Sequence, residues 1–235
     1  MTKPKAILFD LDDTIVADDA VFEKSWGNVF KKPILQASKF DISKLWTAIK
    51  QAIEWYYGDP ERLRKARQNL HAARREVVTI ALSNLGIDDL NFAHKLADSY
   101  SEEKEKAIFI YPDAIETISH FKKDGIRLAL LTNGSSESQR GKIERFGLAP
   151  FFSYIFIEGE LGIGKPDERF FRHALERLGV DPSEAWMVGD RLEHDVKPAQ
   201  KLGIYAIWVD WRGEGLPESS TVQPDRIIQK LSELL

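Results

Sequence analysis

Near the start of the chain, four consecutive apolar residues run directly into a cluster of carboxylates. The apolar run is Ala6–Phe9, and the acids that follow it are Asp10, Asp12 and Asp13. A run that is apolar at every position and too short for a helix predicts a strand buried on both faces, in the middle of a parallel sheet. Ligands of open α/β sheets bind outside the carboxyl ends of the strands, so we expect Asp10 and Asp12 to project into a crevice at that edge.

The spacing of Asp10 and Asp12 predicts a bound cation. At an effective dielectric of about 20, like charges about 4 Å apart cost roughly 4 kcal/mol. Two packed carboxylates therefore either share a proton or bind a metal. Oxygen ligands at a tight turn suit Mg²⁺, which takes one or two carboxylates, keeps several waters and leaves positions for phosphate oxygens.

Length and composition limit the class of protein. The 235 residues suit one large domain or one domain with an insertion, and 43% apolar residues suffice for a buried core. The net charge of −4 gives no general attraction for nucleic acid or an anionic membrane. The absence of cysteine excludes disulfides, thiolate metal sites and cysteine nucleophiles. Apolar runs are too short for a signal peptide or a membrane span, so we expect a soluble cytoplasmic protein, either a monomer or a homodimer.

Between residues 16 and 105 the sequence is helical in character. Apolar residues recur at about the helical period, and Gly58-Asp59-Pro60 and Gly86 interrupt the pattern. We expect four helices, inserted directly after the first strand: a segment containing Phe22, Trp26 and Phe30, followed by residues 43–57, 61–85 and 89–104.

From residue 106 onward, strand-like and helix-like segments alternate. Further strands are predicted at 126–131, 154–157, 185–188 and 204–209, and the chain is predicted to end in a helix at 226–235. This alternation implies a parallel sheet with right-handed crossovers. We therefore predict an α/β fold with two parts: a Rossmann-like parallel sheet core with helices on both faces, formed by residues 1–15 and 106–235, and an inserted four-helix domain at 16–105.

Four of the predicted strands deliver polar side chains to the same edge of the sheet. Each of these residues has an ordinary explanation as a turn, cap or loop residue. Their convergence at the carboxyl ends of four strands indicates one site. The residues are Asp10 and Asp12 after the first strand, Thr132 and Asn133 after the second, Lys165 after the third, and Asp190 with Asp195 after the fourth.

The order and spacing of these residues resemble the four motifs of the haloacid dehalogenase-like hydrolase superfamily. The resemblance covers nearly the whole chain and implies the phosphatase branch. The helical insertion is similar to the family's mobile cap of the first type, which lies between the first and second motifs. The matching segments are Asp10-Leu11-Asp12-Asp13-Thr14, Leu131-Thr132-Asn133-Gly134, Lys165-Pro166 and Gly189-Asp190-Arg191-Leu192-Glu193-His194-Asp195.

The chemistry of phosphoryl transfer suggests roles for these residues. A carboxylate that attacks phosphorus forms an acyl phosphate and divides one difficult hydrolysis into two easier displacements, and Asp10 is the predicted nucleophile. The resemblance assigns Asp12 as the acid that protonates the leaving alkoxide and then deprotonates water. Lys165, Thr132 and Asn133 are predicted to bind the phosphoryl oxygens and to stabilise their charge.

The same resemblance implies a ligand set for magnesium. The ion would be held by the Asp10 carboxylate, the Asp12 backbone carbonyl and Asp190. Asp195 would orient a metal-bound water, and Thr14 would help to fix the loop. The implied activity is magnesium-dependent hydrolysis of a small phosphorylated metabolite, such as a sugar phosphate or a nucleotide.

Other functions share part of this pattern. Asp12 argues against a dehalogenase, because displacement of halide from carbon needs no leaving-group acid. A phosphotransferase of the phosphoglucomutase kind would use the same acyl phosphate but return it to a sugar. A non-enzymatic receiver-like module also gathers acids, a threonine and a lysine around magnesium, but its phosphoacceptor strand would fall near residues 51–62, a segment that is predicted to be helical.

Overall fold

The computed structural model describes residues 3–36 and 41–235 of the chain. Its packing divides the chain into two compact units, each with a hydrophobic core of its own. One unit consists of Met1–Ala17 together with Phe109–Leu235, and the other is Asp18–Ile108. Within the described ranges, no helix combines the length and the apolar composition that a membrane crossing requires. That the second unit acts as a mobile cap stays a prediction.

The unit Asp18–Ile108 is built from helices around stacked aromatic rings. Trp26 is almost fully buried and stacks on Tyr100, with 4.5 Å between the ring centroids. Phe30 stacks on the same indole at 5.6 Å. The helices are α1 (Phe22–Phe30), α2 (Pro33–Gln36), α3 (Ile42–Tyr57), α4 (Pro60–Gln68), α5 (Leu70–Ser83) and α6 (Leu90–Ala107), and a 3-10 turn at Asp19–Val21 precedes them.

The single helix predicted at 61–85 is two helices in the structure. Asn69 lies between α4 and α5 with a non-helical φ of −144° and ψ of 82°, and its side chain accepts a hydrogen bond from the Ala72 backbone N–H at 3.0 Å. Asparagine is among the best residues for capping a helix start. The prediction was wrong because apolar periodicity does not register a single capping residue between two helices.

The other unit contains a parallel sheet. Within the described residues its strands are, in chain order, β1 (Ala6–Phe9), β2 (Val16–Ala17), β3 (Phe109–Ile110), β4 (Arg127–Thr132), β5 (Tyr154–Ile157), β6 (Ala185–Gly189), β7 (Tyr205–Val209) and β8 (Arg226–Ile228). Six of these strands pair in the order β5-β4-β1-β6-β7-β8, and every pairing is parallel, whereas β2 and β3 form a separate antiparallel ribbon. All four residues of β1 are fully buried, which confirms the prediction of a central strand.

The register of the sheet brings three strand ends together. Phe9 at the end of β1 lies beside Leu130 of β4 and Val188 of β6. Because the three strands are parallel, the residues that follow them emerge at the same edge. The connecting helices are α7 (Ala114–Lys123), α8 (Ser136–Arg145), α9 (Glu158–Leu161), α10 (Glu168–Leu178) and α11 (Lys197–Lys201), with 3-10 turns at Ala149–Phe151, Pro182–Glu184 and Leu231–Leu234 and a π-helical turn at Leu192–Val196.

The end of the chain differs from the prediction of a helix at 226–235. Arg226–Ile228 is the edge strand β8, and its Ile228 carbonyl accepts a hydrogen bond from the Asp210 N–H at 2.8 Å. Ile228 is buried whereas Ile227 is exposed, which is the alternation of a strand. Three alternating positions are too few to outweigh the helical spacing of the leucines that follow, so the terminal helix predicted from the sequence was wrong.

Candidate active site

A tight turn follows β1 and separates the carboxylates of Asp10 and Asp12. The Asp10 N–H donates to the Val188 carbonyl at 2.9 Å, so Asp10 still lies against the sheet. The chain then folds back, and the Val16 N–H donates a hydrogen bond to the Leu11 carbonyl at 2.9 Å. Asp13 within the turn has a φ of 58°, in the left-handed region that aspartate adopts more readily than most side chains. The turn thereby reverses the chain within a few residues of the strand.

Asp10 and Lys165 form a buried ion pair at the end of β1. The Lys165 Nζ lies 2.5 Å from Asp10 Oδ1 and 2.6 Å from Asp195 Oδ1, and all three side chains are at least 90% buried. Thr14 Oγ1 contacts the other Asp10 oxygen at 3.5 Å. Burial alone would lower the pKa of Lys165, but attraction to the two carboxylates outweighs burial and raises that pKa. Lys165 is therefore a fixed positive charge beside Asp10.

Three carboxylates gather at this edge of the sheet. One oxygen each from Asp10, Asp190 and Asp195 lies within 4.8 Å of the others. Burial is the main cause that raises the pKa of Asp190 well above its usual value, and the charges of Asp10 and Asp195 raise it further. Burial likewise raises the pKa of Asp10, against the attraction of Lys165. One lysine does not neutralise three acids, so the cluster favours an additional cation.

The donor set of this cluster fits magnesium. No side chain or backbone donor from residues 3–36 or 41–235 hydrogen-bonds the Asp190 carboxylate, so its oxygens are available to a ligand. Both Asp195 oxygens are in use, because Oδ1 bonds Lys165 and Oδ2 accepts from the Arg191 N–H at 2.9 Å. Hard carboxylate oxygens are the ligands that Mg²⁺ prefers. Asp190 is thus the carboxylate best placed to hold the ion, together with Asp10, whose Oδ2 makes a long contact of 3.5 Å with Thr14 Oγ1.

Neighbouring groups hold Asp190 and Asp195 in place. The Trp208 indole N–H donates to the Asp190 backbone carbonyl at 2.7 Å. Gly189 leaves room for the Asp195 carboxylate, since a Cβ at position 189 would lie only 2.4 Å from its carboxyl carbon. A glycine at the end of β6 is therefore a packing requirement of this site.

Asp12 takes partners different from those of Asp10. The Lys142 Nζ lies 2.6 Å from Asp12 Oδ1, and the Gln139 Nε2 donates to Asp12 Oδ2 at 3.0 Å. The Asp12 carboxylate is not part of the three-acid cluster found among the described residues. Asp10 and Asp12 therefore occupy distinct environments although they are only two residues apart.

Thr132 and Asn133, at the end of β4, are both engaged within the site. Thr132 Oγ1 accepts a hydrogen bond from the Gln139 Nε2 at 2.5 Å. The Asn133 amide bonds the Lys165 backbone at both ends, since Nδ2 donates to the carbonyl at 2.7 Å and Oδ1 accepts from the N–H at 2.8 Å. A Cβ at Gly164 would lie 2.6 Å from that Oδ1. The Asn133 side chain therefore positions the Lys165 segment, whereas its predicted contact with phosphate stays a prediction.

Two residues of this network were not identified from the sequence. Gln139 and Lys142 lie on α8, one turn apart, and Gln139 is 2% exposed. The available signal was a long polar side chain on the buried side of a helix that directly follows the second motif. Such a residue needs hydrogen-bond partners, because burial of an unpaired amide is costly.

The raised pKa values of the cluster predict how stability depends on pH and magnesium. Asp10 and Asp190 bind protons more tightly in the folded state, so without metal their stabilising contribution is complete at acid pH and is lost as the pH rises through their folded pKa values. Mg²⁺ competes with those protons. We expect thermal unfolding to show a stabilisation by Mg²⁺ that grows from pH 5 to pH 8, to about 2.7 kcal/mol when free Mg²⁺ is 100 times its Kd.

The matched measurement uses EDTA in place of Mg²⁺ at each pH, because subtracting the two curves cancels the contributions of all other titrating groups. Asp190→Asn, which removes one carboxylate of the cluster, should show a much smaller Mg²⁺ effect. An equal Mg²⁺ effect at both pH values, or in the variant, would contradict a metal site at Asp190.

Comparison with known proteins agrees with the geometry. The family model of the haloacid dehalogenase-like hydrolases matches residues 4–203. A phosphoserine phosphatase of Thermus thermophilus is 43% identical over 143 residues, which are 60% of this chain and 56% of that relative. A glyceraldehyde 3-phosphate phosphatase of Methanopyrus kandleri is 29% identical over 98% of this chain and 95% of its own.

A solved structure extends this comparison to the fold. The HAD hydrolase YfnB of Bacillus subtilis, bound to magnesium, superposes with a TM-score of 0.75 at 23% identity, covering 99% of this chain and 97% of that one. Both parts of the predicted fold class, a Rossmann-like core and a cap, are shared with such structures. The chain is thus an enzyme that hydrolyses phosphoric monoesters, and it belongs to the haloacid dehalogenase-like hydrolase family.

Proposed function

We propose that the protein is a magnesium-dependent phosphatase that hydrolyses a small-molecule phosphomonoester through an aspartyl-phosphate on Asp10. The observation that carries the proposal is the separation of the two acids of the first motif. Asp10 lies buried against Lys165 in an acidic cluster, whereas Asp12 lies on a different hydrogen-bond network. This arrangement supports one acid as nucleophile and the other as proton carrier.

In the first step, an Asp10 carboxylate oxygen attacks phosphorus. The new phosphorus–oxygen bond forms to Asp10 while the bond to the ester oxygen breaks. Asp12, in its carboxylic acid form, gives its proton to the departing oxygen, so the product leaves as a neutral alcohol. The step ends with phosphate covalently held on Asp10 and with Asp12 ionised.

In the second step, water displaces phosphate from Asp10. The water oxygen bonds to phosphorus, Asp12 accepts the water proton, and the bond between phosphorus and the Asp10 oxygen breaks. Inorganic phosphate leaves, and both aspartates return to their starting protonation states. Asp12 thereby acts as acid in the first step and as base in the second.

Charge on the phosphoryl oxygens needs fixed positive or hydrogen-bonding partners. Lys165 supplies a buried charge next to Asp10, and the Thr132 hydroxyl is the proposed donor from β4. Asp10 and Asp190 would hold Mg²⁺, which would supply further positive charge to stabilise the phosphoryl group. The Asp12 backbone carbonyl is proposed as its third protein ligand.

Asp12 also favours phosphoryl chemistry over displacement of halide from carbon. Halide is a good leaving group without a proton, so a dehalogenase has no use for an acid held by two partners of its own. A chloride-release assay with a 2-chloro acid should therefore be negative where phosphate release is positive.

The test is phosphate release from a panel of phosphomonoesters, with excess Mg²⁺ or with EDTA. The panel should contain phosphoserine and glyceraldehyde 3-phosphate, on which the named relatives act, together with sugar phosphates and nucleoside monophosphates. We expect release from at least one compound, with loss of nearly all turnover in EDTA. Phosphate release that is equal in EDTA, or absent from every compound, would contradict the proposal. Faster transfer of the phosphoryl group to a sugar hydroxyl than to water would indicate a phosphotransferase instead.

A further inference from the structure

Two side chains of α8 hold both oxygens of Asp12. The Lys142 Nζ lies 2.6 Å from Asp12 Oδ1, and the Gln139 Nε2 lies 3.0 Å from Asp12 Oδ2. Gln139 also donates to Thr132 Oγ1 at 2.5 Å. A carboxylate can only accept, so the amide nitrogen of Gln139 must face Asp12. The contacts define an α8 clamp, Gln139 with Lys142, on the carboxylate of Asp12.

The α8 clamp is built on a well-anchored helix start. Ser135 caps α8, with its Oγ accepting from the Ser138 N–H at 3.2 Å. Gly134 just before it has a φ of 110°, and its N–H donates to the Glu158 carboxylate at 3.0 Å. The clamp residues lie three positions apart on this helix and so point in similar directions. Their geometry is therefore set by the end of β4 and not by a mobile loop.

The two side chains of the α8 clamp are largely buried. Gln139 is 2% exposed, and the Lys142 side chain is 12% exposed, whereas exposed ion pairs of one lysine with one acid contribute little. A buried amide that bridges Asp12 and Thr132 also links the proposed proton carrier to a proposed phosphate-binding residue. The Asp12 side chain itself is 31% exposed, so its two donors are more buried than the carboxylate that they hold.

We propose that Gln139 and Lys142 are positioning residues for Asp12, which hold its carboxylate in the orientation from which it exchanges protons with the leaving group and with water. The inference rests on the proposed function and adds two residues to it. Proton transfer requires a heavy-atom distance of about 2.6 to 3.2 Å. A misplacement of about 1 Å costs on the order of 10²-fold in rate.

The test is a comparison of two substrates in Lys142→Met. p-Nitrophenyl phosphate has a leaving group that needs no proton, so formation of the phosphoenzyme is spared while its hydrolysis by water is slowed. We expect a burst of about one p-nitrophenol per enzyme, followed by steady turnover that is about 10²-fold below wild type. With glycerol 3-phosphate, an alkyl phosphate, both steps are slowed and no burst precedes the slow turnover. A general structural defect would not produce this difference between substrates.

A double-mutant cycle asks whether Lys142 acts through Asp12. In an Asp12→Asn background, Lys142→Met should cost little further activity, because the carboxylate that it positions is already gone. Lys142→Arg keeps a cation and should recover part of the loss. Arg140→Met is the matched control, since Arg140 lies on the same helix but pairs with Glu160 at the surface, and it should show no burst.

The outcomes separate the inference from the function on which it rests. An active wild type with a Lys142→Met variant that behaves like it, or full additivity in the Asp12→Asn background, overturns the positioning role alone. A wild type that releases no phosphate overturns both. If Lys142→Met does not fold, Gln139→Met removes the other half of the α8 clamp at nearly constant shape, and the same burst is expected.

Discussion

Replacing Asp10 with asparagine should reduce turnover by at least about 10⁴-fold, because an amide cannot form the acyl phosphate. Asparagine keeps the shape of the side chain and the backbone contact of position 10 with Val188. The variant should still bind phosphorylated compounds. Intact-mass measurement after acid quenching should detect one added phosphate on the wild type during turnover and none on Asp10→Asn. Metal-dependent turnover that survives the change would exclude Asp10 as nucleophile.

Asp13→Asn is the matched control for that experiment. Asp13 is a buried aspartate in the same turn, and asparagine adopts its positive φ as readily as aspartate does. The control therefore removes one carboxylate near the cluster without removing the nucleophile. It should keep most of the turnover and should still form the phosphoenzyme. An equal loss in both variants would point to the electrostatics of the turn as the cause.

Replacing Lys165 with methionine should both inactivate and destabilise the protein. Its ammonium group is the buried cation between Asp10 and Asp195, and loss of one partner from a buried ion pair costs about 3 to 5 kcal/mol. The backbone contacts of position 165 with Asn133 do not depend on the side chain and should remain. Turnover should fall together with stability, because the phosphoryl oxygens lose their fixed charge.

The destabilisation of Lys165→Met should depend on pH and on magnesium. Without the lysine, Asp10 and Asp190 hold their protons more tightly in the folded state. The folded pKa values of these two carboxyls then rise further above the unfolded values, so the loss of stability is small at pH 5 and grows as the pH increases to 8. Mg²⁺ supplies part of the missing positive charge and should restore more stability to this variant than to wild type.

Lys104→Met provides the comparison for these denaturation curves. Lys104 is also a buried lysine in an ion pair, in this case with Asp18 in the helical unit. It should lose stability as well, but its response to Mg²⁺ should equal that of wild type. An Mg²⁺ response that is raised in both variants would mean that the ion does not act at the cluster around Lys165.

Local patterns in the chain were enough to identify the sheet core and the residues at its edge. An uninterrupted apolar run such as Ala6–Phe9 has no exposed face, so a central parallel strand was its consistent interpretation. The carboxyl ends of parallel strands share one edge, and for this reason the sequence predicts that Asp10, Lys165 and Asp190 lie close together. The structure brings these three residues together in the ion pair and the acidic cluster.

Short segments without a strong period were predicted wrongly. The residues of β8 alternate over only three positions, and their pairing with β7 is a contact between segments that are distant in the chain. The break at Asn69 depends on a single capping residue between two periodic stretches. In both places the local pattern, strand alternation at β8 and a capping residue at Asn69, was weaker than the helical periodicity of the adjacent residues.

What the amino-acid sequence determined by itself was therefore the order of the five strands β1, β4, β5, β6 and β7 with the helices between them, and the set of polar residues at the carboxyl edge, because these follow from periodicity and from the rules of parallel sheets. Only the tertiary structure decided which of these polar side chains form ion pairs or hydrogen bonds with each other. Asp10 and Asp12 are two residues apart, yet one pairs with Lys165 and the other with Gln139 and Lys142. The physical reason is that the partners come from separate connections after β4 and β5, and their distances to a carboxylate are fixed only when the sheet has assembled and the helices have packed on it.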